Sequence, residues 1–169
     1  MGQKQVIAVV GATGMQGGGL VRAILADPSS GMTVRALTRD VNSDKARELA
    51  RLGAEVVAAD VHDGESLKRA FAGVAGVFCV TFFWAHCSPE KEFAEAEAMA
   101  LEDTRRWVPL SDDRMPTLLG KYKVPHFDAK GEADQVFRQL GVPTTFLLTS
   151  FYWDNLIHFG IGPKKGPDG

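Results

Sequence analysis

The sequence is short of cysteine, of long apolar runs and of net charge, and each shortage closes a class of function. Its 169 residues contain two cysteines. Cys79 and Cys87 have neither the density of a disulfide framework nor the spacing of metal ligands, so a reducing compartment is expected and no metal site is read. Cys79 lies in an apolar run and reads as core. Cys87 falls in a loop, where His86 is the one neighbour able to activate its thiol. No apolar run approaches the roughly 20 residues of a membrane span, and the N-terminus lacks the h-region of a signal peptide. A formal net charge of -2 argues against general attraction to nucleic acid. Repeats and low-complexity tracts are absent as well. The expectation is a soluble protein, cytoplasmic or nuclear, with no direct nucleic-acid or membrane partner.

What is present has the composition of an ordinary globular chain, 45% hydrophobic and 24% charged, at a length that suits one domain with a sizeable core. That domain is placed at 1–159, with a flexible tail rich in glycine, proline and lysine at 160–169.

The N-terminal stretch carries the strongest signal. Val6 to Val10 is an uninterrupted apolar run, as in a strand buried on both faces of a parallel sheet. Gly11, Gly14 and Gly17 follow at once, and Leu20, Val21, Ile24 and Leu25 recur at helical spacing. Strand, glycine turn and helix in this order aim free backbone N–H groups and a positive dipole end at one point. A dinucleotide pyrophosphate fits there. The spacing is Gly-x-x-Gly-x-x-Gly, and the strand and helix around it make the motif informative.

Further on, strands are expected at Thr33 to Thr38, Glu55 to Ala59, Gly76 to Thr81 and Thr144 to Thr149. Helices are expected around Ser43 to Leu52, Ser66 to Ala72, from Pro89, and from Phe127 to Leu140, ending at Gly141. In the helix from Pro89 the expected buried side is Phe93, Ala96, Ala100 and Leu101. The alternation predicts an α/β fold, a three-layer Rossmann-like doubly wound parallel sheet. No apolar β-branched run stands between Thr81 and Val142. The sheet is therefore expected to have five strands, with Thr144 to Thr149 moving in beside Gly76 to Thr81 so that no central strand is left with unpaired backbone.

In such a sheet the residue ending the second strand approaches the adenine ribose. Here it is Arg39, a cation suited to the 2′-phosphate of NADP and ill suited to the bare 2′-hydroxyl of NAD. Asp60, ending the third strand, is placed either to accept from the adenine amino group or to cap the next turn. Thr81 and Phe82, ending the fourth, flank the nicotinamide side.

Five ordered motifs then resemble the NmrA-like family: Gly-Ala-Thr-Gly-Met-Gln-Gly-Gly from Gly11, Leu-Thr-Arg from Leu37, Val-Thr-Phe-Phe-Trp from Val80, His-Phe-Asp-Ala-Lys-Gly-Glu from His126 and Gly-Val-Pro-Thr-Thr from Gly141. These are atypical short-chain dehydrogenase relatives that include NADP-binding redox sensors and transcriptional regulators. The resemblance implies that Gly11, Ala12, Thr13, Gly14, Met15 and Gln16 surround the pyrophosphate, with Gly17 completing the turn and Arg39 at the 2′-phosphate. It further implies Asp60 and Val61 near adenine, and Thr81, Phe82 and Phe83 at the ribose and nicotinamide. Lys130 would bond the nicotinamide ribose, and Tyr152, Trp153, Asp154 and Asn155 would close that end. NADP(H), preferred over NAD(H), is the implied cofactor, and a regulatory protein the implied partner.

Three departures qualify the activity that the resemblance implies. The Tyr-x-x-x-Lys pair of short-chain dehydrogenases, one helical turn apart, is here His126 and Lys130, and Tyr122 cannot substitute because Pro125 intervenes. His126 is a proton donor in principle, yet the replacement favours binding without turnover. The family's strand before Leu101, which would carry the catalytic serine, and its C-terminal substrate-binding portion, which would follow Gly169, are also expected to be missing. The reading is a redox-state sensor or regulator; the alternative is an NAD(P)H-dependent oxidoreductase of quinones or carbonyls.

Overall fold

The computed structural model describes residues 4–102, 106–111, 124–148, 152, 155, 156, 162 and 166. Six parallel strands form one sheet. In chain order they are β1 (Gln5–Val9), β2 (Met32–Thr38), β3 (Glu55–Ala58), β4 (Gly76–Cys79), β5 (Arg106–Ser111) and β6 (Leu147–Leu148), and they lie side by side as β3-β2-β1-β4-β5-β6. The helices between them are α1 (Met15–Ala26), α2 (Asp44–Arg51), α3 (Gly64–Phe71), α4 (Pro89–Glu102) and α5 (Pro125–Gln139).

Alternation along the strands sorts the core into two layers. Ala8, Val10, Leu37, Val77 and Cys79 face one way and pack with Leu67 and Phe71 of α3, Ala96 and Met99 of α4, and Val136 and Phe137 of α5. Val9, Val34, Ala36 and Phe78 face the other way, onto Val21 of α1 and Leu49 of α2. Successive side chains of a strand point to opposite faces, so a sheet with helices on both sides needs apolar residues at successive positions, as β1 has from Val6 to Val9.

Two expectations about the sheet are corrected. A strand does stand between Thr81 and Val142, and β6, the strand found within the expected Thr144 to Thr149, does not pair with β4. Residues Arg106–Ser111 occupy that place, with Gly76 opposite Arg106 and Cys79 opposite Pro109, and β6 pairs with β5 through Leu110 and Leu147. The physical premise, that β4 cannot keep an unpaired edge, holds. The segment meeting it is a different one. Arg-Trp-Val-Pro-Leu-Ser is neither continuously apolar nor free of proline, so its own propensity is weak, and the parallel register against β4 gives it its extended form.

Helix α4 also differs from its predicted packing. Phe93 and Leu101 are 39% and 57% exposed, whereas Met99 is buried and Glu92 and Glu95 lie on the inner face. The proposed break between 159 and 160, and the residues Tyr122, Trp153 and Asp154, lie outside the described residues. Among the described residues no helix is long and apolar enough to cross a membrane.

The segment that carries Arg39 is held by the start of α2. Ser43 Oγ accepts from Ala46 N at 3.3 Å and donates to the Asp40 carbonyl at 2.9 Å. Ser43→Ala is expected to lower stability by about 1 kcal/mol, the usual loss for an N-cap, read as a shift in urea midpoint at unchanged slope.

Candidate functional site

Parallel pairing brings the carboxyl ends of four strands to one edge of the sheet. In register, Val9 stands opposite Ala36 and Phe78, and Thr38 opposite Ala58. The residues that follow these strands therefore line up as Asp60, Arg39, Gly11 and Thr81. The strand order reverses between β1 and β4, and open α/β sheets bind their ligands at such a switch point.

At its centre is the glycine turn. Gly11 has φ +65°, a left-handed conformation that favours glycine. Its carbonyl accepts from Gly14 N at 2.9 Å. Gly17 is pressed against this turn so closely that a Cβ would stand 2.4 Å from Gly11 O. Helix α1 opens at Gly14 with no side-chain cap and no acidic residue in its first turn, so the early N–H groups and the positive dipole end meet no competing anion from the helix itself. Beside it lies a cleft of ≈ 210 Å³ lined by Ala12, Thr13, Gly14, Met15, Arg22, Lys45, Glu48 and Leu49. Arg22 is partly committed, donating to Gly18 O and pairing with Glu48. Lys45 is a cation at this cleft that the sequence reading missed, although its place in the first turn of α2 follows from the cap at Ser43.

Arg39 is exposed, and among the described residues no hydrogen bond or ion pair to it is found. Asp40, its neighbour and the residue that would suit NAD, turns back on its own loop, where Oδ1 accepts from Asn42 N at 2.8 Å. Of the two roles open to Asp60 the structure contains the turn cap: Oδ1 accepts from His62 N at 3.0 Å. Val61 is half-buried beside it.

At the other end Lys130 reaches back from α5 to the end of β4. Its Nζ donates to Thr81 O (3.0 Å), Thr81 Oγ1 (2.8 Å) and Glu92 Oε1 (2.7 Å). Those three bonds use all three ammonium protons. The Thr81 hydroxyl also donates to Glu92 Oε1, closing a ring of three side chains. Glu92 is fully buried and was not anticipated. A signal existed: Glu92, Ala96 and Met99 are spaced i, i+4, i+7, which puts the glutamate on the apolar stripe of α4.

His126 lies one turn before Lys130 on the same helix, as its spacing predicts. Its ring centroid is 4.9 Å from that of Trp84, 6.1 Å from Phe83 and 4.1 Å from Phe127. Phe83 is buried, while Phe82 and Trp84 are exposed. The structure therefore brings Thr81, Phe83, His126 and Lys130 together. Further along the chain Asn155 N donates to Tyr152 O at 3.0 Å.

Comparison with known proteins shows the family and the fold. The family model described as the NmrA-like family matches residues 3–168. An NmrA-like family domain-containing protein of Dictyostelium discoideum is 33% identical over 168 residues, covering 94% of this chain and 55% of its own length. An NmrA-like family domain-containing oxidoreductase of Aspergillus hancockii is 51% identical over 74 residues, 44% of this chain and 22% of the relative. The chain thus spans about half, or less, of the relatives it matches. Among solved structures, NmrA, a negative transcriptional regulator, superposes with TM-score 0.75 at 27% identity over 90% of this chain and 48% of its own. NmrA has also been solved with NADP and with NAD, at TM-scores of 0.68 and 0.66 to this chain. With the glycine turn, the switch-point edge and a family match along almost its whole length, the chain belongs to the NmrA-like family.

Proposed function

We propose that this chain binds NADP(H) and acts as a sensor or regulator of cofactor state through a protein partner, in the cytoplasm or nucleus. One observation carries the reading: Lys130 directs all three of its protons to Thr81 and Glu92, and the residue one turn before it is a histidine. The lysine is held as part of a binding wall rather than beside a tyrosine whose proton it would release. For Lys130 to reach a nicotinamide ribose, a ribose hydroxyl has to take the place of one Thr81 acceptor. The NmrA likeness supports the regulatory side, because that protein is named as a transcriptional regulator.

Preference for NADP(H) rests on Arg39. Its guanidinium stands exposed at the end of β2 while Asp40 is engaged in its own turn, so a 2′-phosphate meets a fork of donors and no opposing carboxylate. Arg39→Glu is expected to weaken NADPH binding by about 1.5–3 kcal/mol, roughly 10- to 100-fold, the range for hydrogen bonds to charged groups. NADH affinity should stay within a few-fold. Calorimetric titration of wild type and variant with both cofactors tests this. Absence of NADPH binding by the folded wild type, or tighter binding of NADH, would overturn the reading.

The second reading, an NAD(P)H-dependent oxidoreductase of a quinone or carbonyl, is favoured by the oxidoreductase name of the 51% identical relative and by His126 standing against Trp84 one turn from Lys130. In that case His126 supplies the proton and Lys130 orients the ribose. NADPH oxidation with a panel of quinones and ketones, lost in Lys130→Ala while cofactor binding persists, would replace the first reading with the second.

A further inference from the structure

Below the loop that follows β4, three side chains able to ligate a metal converge with no hydrogen bond closing them. His86 Nε2 stands 3.5 Å from Glu92 Oε2 and 3.6 Å from Glu95 Oε1. One ligand atom from each of the three lies within 4.8 Å of the others. The side chains of His86, Glu92 and Glu95 are 7%, 0% and 8% exposed, and both His86 Nε2 and Glu92 Oε2 are buried without a hydrogen-bond partner. Buried polar atoms are normally satisfied, so two orphans aimed at one point ask for an occupant.

The separations say what kind. A direct N–H···O bond would bring nitrogen and oxygen to about 2.9 Å. Ligands held by a tetrahedral ion at about 2.1 Å stand about 3.4 Å apart, which is close to both measured distances. The charges agree, since Glu92 and Glu95 are both buried here and the ammonium of Lys130 pairs with Glu92, so a further cation supplies what is lacking.

We propose that His86 Nε2, Glu92 Oε2 and Glu95 Oε1 bind a divalent transition-metal ion of the zinc class. The imidazole nitrogen selects against magnesium and calcium, which take oxygen ligands. Glu92 is shared: Lys130 keeps Oε1 and the metal takes Oε2. His62 Nε2 is 3.6 Å from the same Glu95 oxygen but is not one of the three converging ligands, so the fourth position is left to water. Ser88 N–H donates to His86 Nδ1 at 3.1 Å, which assigns the ring proton to Nε2 in the metal-free protein. Loading moves that proton to Nδ1 and releases the Ser88 amide, on a residue only partly buried. Glu95 Oε2 meanwhile accepts from Phe82 N at 3.4 Å. The ion therefore clips the loop carrying Phe82, Phe83 and Trp84 to α4.

The test is calorimetric titration of the purified chain with Zn²⁺, together with the visible spectrum of the Co²⁺-loaded wild type. One equivalent of zinc should bind saturably and raise Tm, while Mg²⁺ does neither. His86→Gln and Glu95→Gln should each lower zinc affinity at least tenfold, and Cys87→Ser should leave it unchanged. The cobalt protein should show visible bands of a tetrahedral nitrogen and oxygen site, a readout that depends on no variant folding. The proposal is overturned if the wild type binds no zinc saturably, if either variant keeps wild-type affinity, or if the cobalt protein shows a thiolate charge-transfer band, which would make Cys87 the ligand.

Discussion

Glu92→Ala is expected to destabilise the protein by about 3–5 kcal/mol, the usual cost of removing one partner of a buried ion pair. The carboxylate is fully buried, and the Lys130 side chain opposite it is only 14% exposed. Without Glu92 the ammonium keeps two acceptors, both from Thr81, and the charge that balanced it is gone. A cavity opens on the inner face of α4 as well. For a domain whose total stability is of order 5–15 kcal/mol, that loss leaves the variant near the margin at physiological temperature. Urea denaturation with an unchanged slope measures it. The decisive comparison is the double variant Glu92→Leu with Lys130→Met. If the pair matters through charge left unpaired, removing both ends should restore most of the stability lost in Glu92→Ala. A double variant as unstable as the sum of its parts would assign the loss to packing instead.

The parts of the fold legible in the sequence are those whose cause is local. Gly11 needs a positive φ, and Gly17 must have no side chain where α1 meets the turn; both follow from a strand running directly into a helix. Arg39 and Asp60 could be placed because strand ends in a parallel sheet share one edge, so locating the strands located the residues. His126 and Lys130 needed only helical spacing. What stayed hidden depends on partners distant in the chain. Glu92 looks like one of several acids on a polar helix until Lys130, 38 residues later, is known to lie against it. Phe93 and Leu101 look like core on hydrophobicity alone, yet the face of α4 that meets α3 and α5 is set by Ala96, Met99 and Ala100, and this rotates both large side chains outward. Strand β5 is extended because β4 offers an open edge, a condition that nothing within Arg106–Ser111 records.

These two kinds of residue also divide the labour of the site. The glycine-turn end is built from local geometry and has a cleft beside a helix N-terminus, with the exposed Arg39 on the same sheet edge. The end of β4 is built from long-range contacts with α4 and α5, apolar in the core and polar through Thr81, Glu92 and Lys130. Perturbing α4 should accordingly change nicotinamide placement before it changes phosphate binding.

Gly17→Ala should produce the opposite pattern, and a large effect. The added Cβ would stand 2.4 Å from Gly11 O, 2.8 Å from Gly11 C and 3.0 Å from Ala12 Cα. All three are backbone atoms, so no rotamer change relieves the overlap. Either α1 lifts away from the turn or the turn opens. Overpacking of this kind costs about 3 kcal/mol, and lifting α1 by about 1 Å to clear the overlap also re-aims the N–H groups at its start. NADPH affinity should therefore fall about 100-fold, the scale on which misplacement of about 1 Å acts at a preorganised site, and the adenine-half fragment 2′,5′-ADP should lose as much. Gly19 provides the internal control. It lies in the same helix, and a Cβ added there meets nothing within 4 Å, so Gly19→Ala should stabilise the protein by about 0.5–1 kcal/mol through helix propensity alone. Opposite signs two residues apart, by thermal or urea unfolding, separate a glycine required by close approach from one the helix merely tolerates. If Gly17→Ala bound NADPH like wild type, the glycine turn would lose its place as the phosphate site, because the contact that fixes its shape would have been broken without consequence.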